Sequence, residues 1–185
     1  MKKIGFVIAM AVIALALTGS ALAQGDASYY FVTYFSNNVS GAPDATVRII
    51  NDGDAGTDLW ANFYVFDDSE EMSECCSCPI TPDGLLSESV QKELTANPVS
   101  GPVRQRGVIK VVTYNNTNVS TLTGLHGWAT HIQKATSGYA VTETPLADSN
   151  LGDGEGYGLG YICNALLQLG SGRGSCTCTP EDKDF

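Results

Sequence analysis

The sequence predicts an all-β protein, an immunoglobulin-like or more general β-sandwich, with a short helical segment near the C-terminus and disulfides that staple it. Segments rich in β-branched and aromatic residues recur between turn residues, which is typical of short antiparallel strands. Six cysteines fall into three groups along the chain. The alternation of strand-length and helix-length segments that marks an α/β domain is not visible.

Six segments have the composition of strands. They are residues 28–35, 45–51, 59–67, 107–115, 125–133 and 138–146. In 59–67 the odd positions from Leu59 to Val65 are apolar, and the even positions from Trp60 to Phe66 are mostly aromatic. Because successive side chains of a strand point to opposite faces, this strand is predicted to be buried on one side and largely covered on the other.

Two further segments have other patterns. Residues 81–98 carry apolar residues at mixed spacing, which favours a strand accompanied by irregular structure, with a short helix as the alternative. Leucine and isoleucine recur at near-helical spacing in 150–174 and predict a helix over about 155–169, stopped by Gly170. The glycines of this segment each cost a helix about 1 kcal/mol relative to alanine.

The N-terminus has the three parts of a secretory signal peptide, predicted over residues 1–23. Lys2 and Lys3 form a basic start, an apolar stretch follows, and a small-x-small cleavage signal ends at Ala23. The apolar stretch of about 14 residues is short for a bilayer, which needs about 20. We therefore predict a bacterial-type export signal, no membrane span after cleavage, and a secreted, periplasmic or cell-surface location for one domain over residues 24–185.

The chain is acidic. It carries 20 acidic and 10 basic side chains, a formal net charge of −10. Cleavage after Ala23 removes two lysines, which leaves 8 basic side chains and a charge of −12. Nucleic acids and anionic membrane surfaces require basic patches, so neither is a predicted partner. The charge is compatible with solubility, with calcium, or with a cationic partner.

The cysteines predict disulfides. They are Cys75, Cys76, Cys78, Cys163, Cys176 and Cys178. Their even number and the oxidising compartment favour bridges, and the combination that zinc sites more often use, C-x₂₋₄-C spacing with histidine in register, is absent. Residues i and i+2 of a strand share a face, so the two C-x-C segments lying side by side would form two neighbouring bridges. Cys75 would then pair with Cys163, one connectivity among many.

Several stretches are similar to a family of exported bacterial proteins. They are YVFDDSEEMSECCSCPITPDGLLSESV, LTANPVSG, GVIKVV, GWATHIQ, VTETPLADSNL and GSGRGSCTC. Members of that family carry a YVFD…CCSCPVTPNGL…LTSNP…GVIK block and end in GSGxGxCxC. The resemblance covers most of residues 45–178. It implies export and the cysteine pattern, and no particular activity. The glycine-rich stretch 152–160 departs from the ordinary helix of the family.

Catalytic groups are sparse. His126 and His131 are five apart in a predicted strand, so they face opposite ways and cannot jointly hold a metal if the strand is regular. The G-x-S-x-G nucleophile motif is absent. The carboxylates between Asp67 and Glu74 are predicted to form a solvated acidic loop. We predict a non-enzymatic protein, and the alternative is a secreted glycan-active hydrolase that uses carboxylates from different strands.

Two kinds of binding site are compatible with the sequence. Asp52, Asp54 and Asp58 in the loop NDGDAGTD offer oxygen ligands for calcium, although Asp, Asn and Gly equally suit a plain turn. The loop 148–155 can likewise be interpreted as a calcium site or as a plain turn.

Aromatic residues offer the second kind of site. Trp60, Tyr64 and Trp128 could stack on sugar rings if they are exposed on a sandwich face, although aromatic residues on strands are more often core. The aromatic run 29–35 could pair with a neighbouring subunit by strand addition.

The sequence therefore predicts an exported non-enzymatic protein that acts in binding or as a structural component at the cell surface or outside the cell. The predicted partners are a second copy of the chain or a surface glycan. No cofactor is predicted, and calcium is the alternative. The remaining alternative is a carbohydrate- or calcium-dependent adhesion module.

Overall fold

The computed structural model describes residues 29–36, 39–115 and 122–179, so the predicted signal peptide lies outside the described residues. The strands are β1 Tyr30–Ser36, β2 Thr46–Asn51, β3 Leu59–Asp67, β4 Met72–Ile80, β5 Leu85–Ser89, β6 Arg106–Asn115, β7 Leu125–Lys134, β8 Tyr139–Pro145 and β9 Ala147–Asp148. Within these described ranges, helix α1 spans Asp153–Gln168 and a π-helical turn spans Val90–Leu94.

The strands form two antiparallel sheets. The five-stranded sheet has the order β4-β3-β6-β1-β9, and the four-stranded sheet has the order β5-β2-β7-β8. Side chains from both sheets share one buried core, for example Phe63 and Ile109 from the first and Ile49 and Leu86 from the second. The prediction of an all-β, sandwich-like fold is confirmed, and an immunoglobulin-like arrangement stays a prediction.

Strand β3 has the two-sided burial that its sequence predicts. Leu59, Ala61, Phe63 and Val65 are fully buried between the sheets. The alternate residues point to the outer face of the five-stranded sheet, where Tyr64 and Phe66 join a second apolar cluster. This outer cluster is covered by α1, which explains why β3 carries aromatic residues on its second face.

Strand β4 corrects the predicted acidic loop. The stretch from Asp67 to Glu74 turns at residues 68–70 and then enters β4, which pairs with β3 over nearly its whole length. Glu74 is thereby completely buried. Residues 81–98 form β5 followed by the π-helical turn, which agrees with a strand accompanied by irregular structure. Leu86, Val90 and Leu94 place this segment in the core.

Helix α1 confirms the predicted C-terminal helix, although its N-cap residue is Gly152, which provides no side-chain hydrogen bond. It lies on the outer face of the five-stranded sheet, where Leu159 packs with Tyr30, Tyr64 and Val112. At its first turn, Glu155 accepts a hydrogen bond from the Tyr30 hydroxyl at 2.8 Å. Tertiary packing therefore stabilises a glycine-rich segment that intrinsic propensity alone disfavours.

The cysteine pairing confirms the predicted connectivity. The bridges join Cys75 to Cys163, Cys76 to Cys176 and Cys78 to Cys178. The first fastens α1 to β4, and the other two fasten the C-terminal tail to the same strand. Each bridge closes a loop of 88 or 100 residues, so all three restrict the unfolded chain strongly.

Candidate binding groove

A groove runs between α1 and the outer face of the five-stranded sheet, with a volume of about 810 Å³. We name it the tyrosine groove, because five tyrosines line it. The lining residues are Tyr29, Tyr64, Tyr114, Leu151, Gly152, Gly156, Tyr157, Gly160, Tyr161 and Asn164. Its volume lies within the range of pockets that bind small molecules, about 300–1,000 Å³.

Glycines of α1 make room for the groove. Gly152, Gly156 and Gly160 recur every fourth residue and so lie along one side of the helix. A Cβ atom at Gly152 or Gly160 would have no neighbour within 4 Å, which means that open space begins directly at the helix backbone. Only at Gly156 does a side chain, that of Leu151, come as near as 3.1 Å. Larger residues at these positions would fill the groove.

Two tyrosines of α1 form its outer wall. The side chains of Tyr157 and Tyr161 are one helical turn apart and are 77% and 66% exposed. Their rings are nearly parallel, with centroids 6.2 Å apart and an angle of 17° between the planes. Exposed tyrosines in this arrangement present apolar ring surface and phenol hydroxyls together, which suits the binding of amphipathic ligands.

The sheet provides the opposite wall. Tyr64 of β3 is buried, and Tyr114 of β6 belongs to the same apolar cluster and also lines the groove. Burial is the main reason why the pKa of Tyr64 lies well above its usual range, and the neighbouring Tyr114 adds to the effect. The Tyr64 phenol therefore stays neutral at physiological pH.

The groove is an uncharged surface on an acidic protein. Its described lining residues include neither carboxylates nor cationic side chains. The nearby Glu155 is paired with Lys110 and accepts the Tyr30 hydroxyl. The hydrogen bond from Lys110 is the main cause that holds the pKa of Glu155 below its usual range. The charge beside the groove is thus neutralised, and the lining favours a neutral ligand.

The structure does not bring the three predicted aromatic residues together. Tyr64 lines the groove as a buried wall, and Trp60, on the same strand face, is half-buried and does not line it. Trp128 lies on β7 opposite Arg48, whose side chain pairs with Glu143 at the exposed surface of the other sheet. The three residues therefore cannot form one binding surface, because they belong to two sheets, and sugar stacking by any one of them stays a prediction.

Sequence reasoning missed most of the groove. Tyr29, Tyr114, Tyr157 and Tyr161 were not among the predicted binding residues. A signal was present in α1, since its two tyrosines are four residues apart, and the lining glycines recur with the same period. The sheet tyrosines had no comparable signal, because their place beside α1 depends on tertiary structure.

The acidic loop after β2 is organised by its own hydrogen bonds. Asp52 accepts from the Asp54 amide at 3.0 Å and contacts His126 Nε2 at 3.0 Å. Among residues described by the structure, the one cluster of three side chains near enough to share a metal ion consists of cysteines. Asp52, Asp54 and Asp58 therefore do not converge, and calcium binding stays a prediction.

The two histidines have separate surroundings. His126 contacts Asp52, whereas His131 is buried and stacks on Tyr34 with ring centroids 4.1 Å apart. His131 Nε2 also lies 3.1 Å from the Thr144 hydroxyl. Burial lowers the pKa of His131, so its ring is neutral at physiological pH. Each histidine thus has a local partner, and neither lines the tyrosine groove.

Two completely buried carboxylic acids accept backbone hydrogen bonds, one from the segment after the π-helical turn and one from the C-terminal tail. Glu74 accepts a hydrogen bond from the Asn97 amide at 2.8 Å, and Glu88 accepts one from the Thr179 amide at 2.8 Å. Burial raises the pKa of each to about 8. Both side chains are consequently protonated over the acidic range in the folded protein. Sequence reasoning did not single out either residue for this role.

No protein-family model and no curated protein matches the chain. Among solved structures, it is similar to the crystal structure of Thermotoga maritima 1070, with a TM-score of 0.46 and 13% identity. That similarity covers 68% of this chain and 97% of the other.

Two observations bear on the compartment. The three disulfides fit an extracellular or otherwise oxidising environment. Over the ranges that the structure describes, no helix combines the length and the apolar character needed to cross a membrane.

Proposed function

We propose that the chain is an exported, non-enzymatic binding protein whose ligand lies in the tyrosine groove. The groove itself carries this proposal, because a concave site lined by aromatic rings with a few polar groups is the usual form of a ligand pocket. The groups that it presents are ring faces, phenol hydroxyls and the amide of Asn164. These groups bind and orient a ligand without providing an acid–base pair.

The ligand class that fits best is a neutral glycan. A sugar ring has an apolar face that stacks on tyrosine, while its hydroxyls exchange hydrogen bonds with phenol and amide groups. Tyr157 and Tyr161 offer two parallel rings for such stacking. Gly160 lets a ring approach the helix backbone closely, since nothing occupies the space beside it. The uncharged lining favours neutral over charged sugars.

The groove predicts the effect of removing its outer wall. Replacing both exposed tyrosines, Tyr157→Ala with Tyr161→Ala, is expected to weaken glycan binding about 10-fold to 100-fold, because each lost stacking contact is worth about 0.5–1.5 kcal/mol. The ligand is first found on a glycan array, and its affinity is then measured by calorimetry. Tyr139→Ala on β8 is the matched control, since Tyr139 is 44% exposed but lies outside the groove.

A second matched pair tests the glycine side. Gly160→Ala and Gly158→Ala both add a methyl group to α1 where nothing lies within 4 Å, but only Gly160 lines the groove. Both variants are expected to stabilise the helix by up to about 1 kcal/mol. Only Gly160→Ala is expected to reduce affinity. If Gly160→Ala and Gly158→Ala bound the ligand with equal affinity, the ligand would lie elsewhere. The same would follow if the tyrosine double variant and Tyr139→Ala lost equal affinity.

Export is part of the same proposal and is supported by the disulfides. The protein isolated from the extracytoplasmic fraction is expected to begin at Gln24. Its intact mass should correspond to residues 24–185 with three bridges. A mass that retains the first 23 residues would contradict the predicted cleavage.

Self-association as a structural component is the second candidate, because apolar side chains are exposed on α1 and at its C-terminal end. Ile162, Leu167 and Leu169 are 42%, 47% and 64% exposed. Light scattering during gel filtration should then show a dimer or larger species that the double variant Leu167→Glu, Leu169→Glu converts to a monomer. A wild-type monomer at high concentration would remove this candidate and leave the groove proposal intact.

A further inference from the structure

Two of the three disulfides lie side by side where β4 meets the C-terminal tail. Sγ of Cys78 is 4.0 Å from Sγ of Cys76, although the two residues belong to different bridges. The Sγ atoms of Cys76, Cys78 and Cys178 all lie within 4.8 Å of one another. Since Cys176 is bonded to Cys76, four sulfur atoms are gathered in one place, which we name the sulfur cluster.

Hydrogen bonds without sulfur keep the tail beside β4. The Cys75 amide donates to the Gly174 carbonyl at 2.8 Å, and the Cys176 amide donates to the Cys75 carbonyl at 3.2 Å. Beyond the second C-x-C segment, the Thr179 amide donates to the buried Glu88 carboxyl. Reduction of the disulfides breaks none of these contacts directly. The four cysteines are therefore held near one another by the fold as well as by their bridges.

We propose that the sulfur cluster binds one zinc ion when its two bridges are reduced. A tetrahedral zinc site with Zn–S bonds of about 2.3 Å places neighbouring sulfur atoms about 3.8 Å apart. The existing separation between Cys76 and Cys78 already matches this spacing. In each bridge, the two sulfur atoms that were bonded must move apart from the length of a disulfide bond to about 3.8 Å. Thiolate ligands select soft cations such as zinc, so carboxylate-binding metals are not expected.

The redox step balances with a dithiol as the reductant. Each bridge accepts two electrons and two protons from one dithiol, which becomes a disulfide. The four resulting thiols lose their protons as their sulfur atoms bind the cation. Each bridge pairs a half-exposed residue, Cys76 or Cys178, with a buried one. The more exposed residue of each bridge is the one at which a thiolate would attack.

The test measures metal binding by the full mature protein before and after reduction. The bridges are reduced with a phosphine, the phosphine is removed under anaerobic conditions, and cobalt(II) is titrated as a coloured probe. The reduced protein should bind one cobalt ion per chain with the absorption of a tetrahedral thiolate site, and zinc should displace it. The oxidised protein should bind neither metal.

Paired variants separate the cluster from the third bridge. Cys75→Ser with Cys163→Ser should retain the cobalt spectrum, whereas Cys78→Ser with Cys178→Ser should weaken binding about 100-fold or more, since half of the ligands are lost. The proposal would be overturned if both variants bound cobalt equally well, or if the variant without Cys75 and Cys163 bound it more weakly. Folding provides a second readout, because one equivalent of zinc should raise the melting temperature of the reduced wild-type protein. An unchanged melting temperature would also count against a site built into the fold.

Discussion

The folded protein is expected to lose stability as the pH rises from about 4.5 to about 8. Glu74 and Glu88 are completely buried, and burial raises the pKa of each from 4.5 to about 8. Between these values the folded state holds protons that the unfolded chain has released, so the free energy of unfolding falls as pH rises. The stabilisation is complete below about pH 4.5 and is lost above about pH 8.

The expected loss is about 2–3 kcal/mol for each residue. One pKa unit corresponds to about 1.4 kcal/mol, and structural relaxation reduces the full value. Urea denaturation followed at several pH values measures this slope. Glu88→Gln should make the free energy of unfolding depend less steeply on pH. It should also stabilise the protein at pH 8, because the amide resembles the protonated acid that faces Glu93.

An exposed carboxylate provides the control for general charge repulsion. Glu71→Gln removes one negative charge from the surface next to β4 and should leave the slope nearly unchanged. A free energy of unfolding that is constant or rises between pH 4.5 and 8 would show that the two buried acids are not protonated in the folded state.

Removing the bridge between α1 and β4 is expected to have the other large effect. Cys75→Ser with Cys163→Ser should lower the free energy of unfolding by about 3–5 kcal/mol, because the bridge closes a loop of 88 residues. The five glycines of 152–160 leave the first half of the helix weak without this support. Ligand affinity should fall as well, since α1 forms one wall of the groove.

Loss of a tail bridge provides the comparison. Cys78→Ser with Cys178→Ser should cost a similar free energy, as the loop is of similar length, but should leave ligand affinity unchanged. Hydrogen exchange of the amides in 153–168 distinguishes the two variants, and only the first should lose protection there. Equal protection of α1 in both variants would mean that packing alone holds the helix.

The sequence predicted elements whose patterns are local. The alternation from Leu59 to Phe66 correctly predicted a strand covered on both sides, because each face carries its own apolar set. The C-x-C spacing correctly predicted two neighbouring bridges, because residues two apart on a strand share a face. Leucine periodicity predicted α1 despite its glycines, since the buried Leu159 and its neighbours keep the helical spacing.

The parts that sequence reasoning missed depend on contacts between distant segments. Glu74 looks like one more carboxylate of an acidic stretch, and only the pairing of β4 with β3 and the covering tail bury it. The tyrosine groove combines β3, β6 and α1, so no local pattern contains it. Trp128 had the residue type expected of a sugar-binding site but lies on the opposite sheet.

The most direct test of the proposed function is a map of backbone amide chemical shifts during titration with a neutral oligosaccharide selected on the array. The tyrosine groove predicts perturbed amides along 151–164 and at Tyr29, Tyr64 and Tyr114, with smaller shifts elsewhere. Shifts concentrated around Trp128 or in the loop 52–58 would contradict this assignment, as would a spectrum that no member of the panel changes.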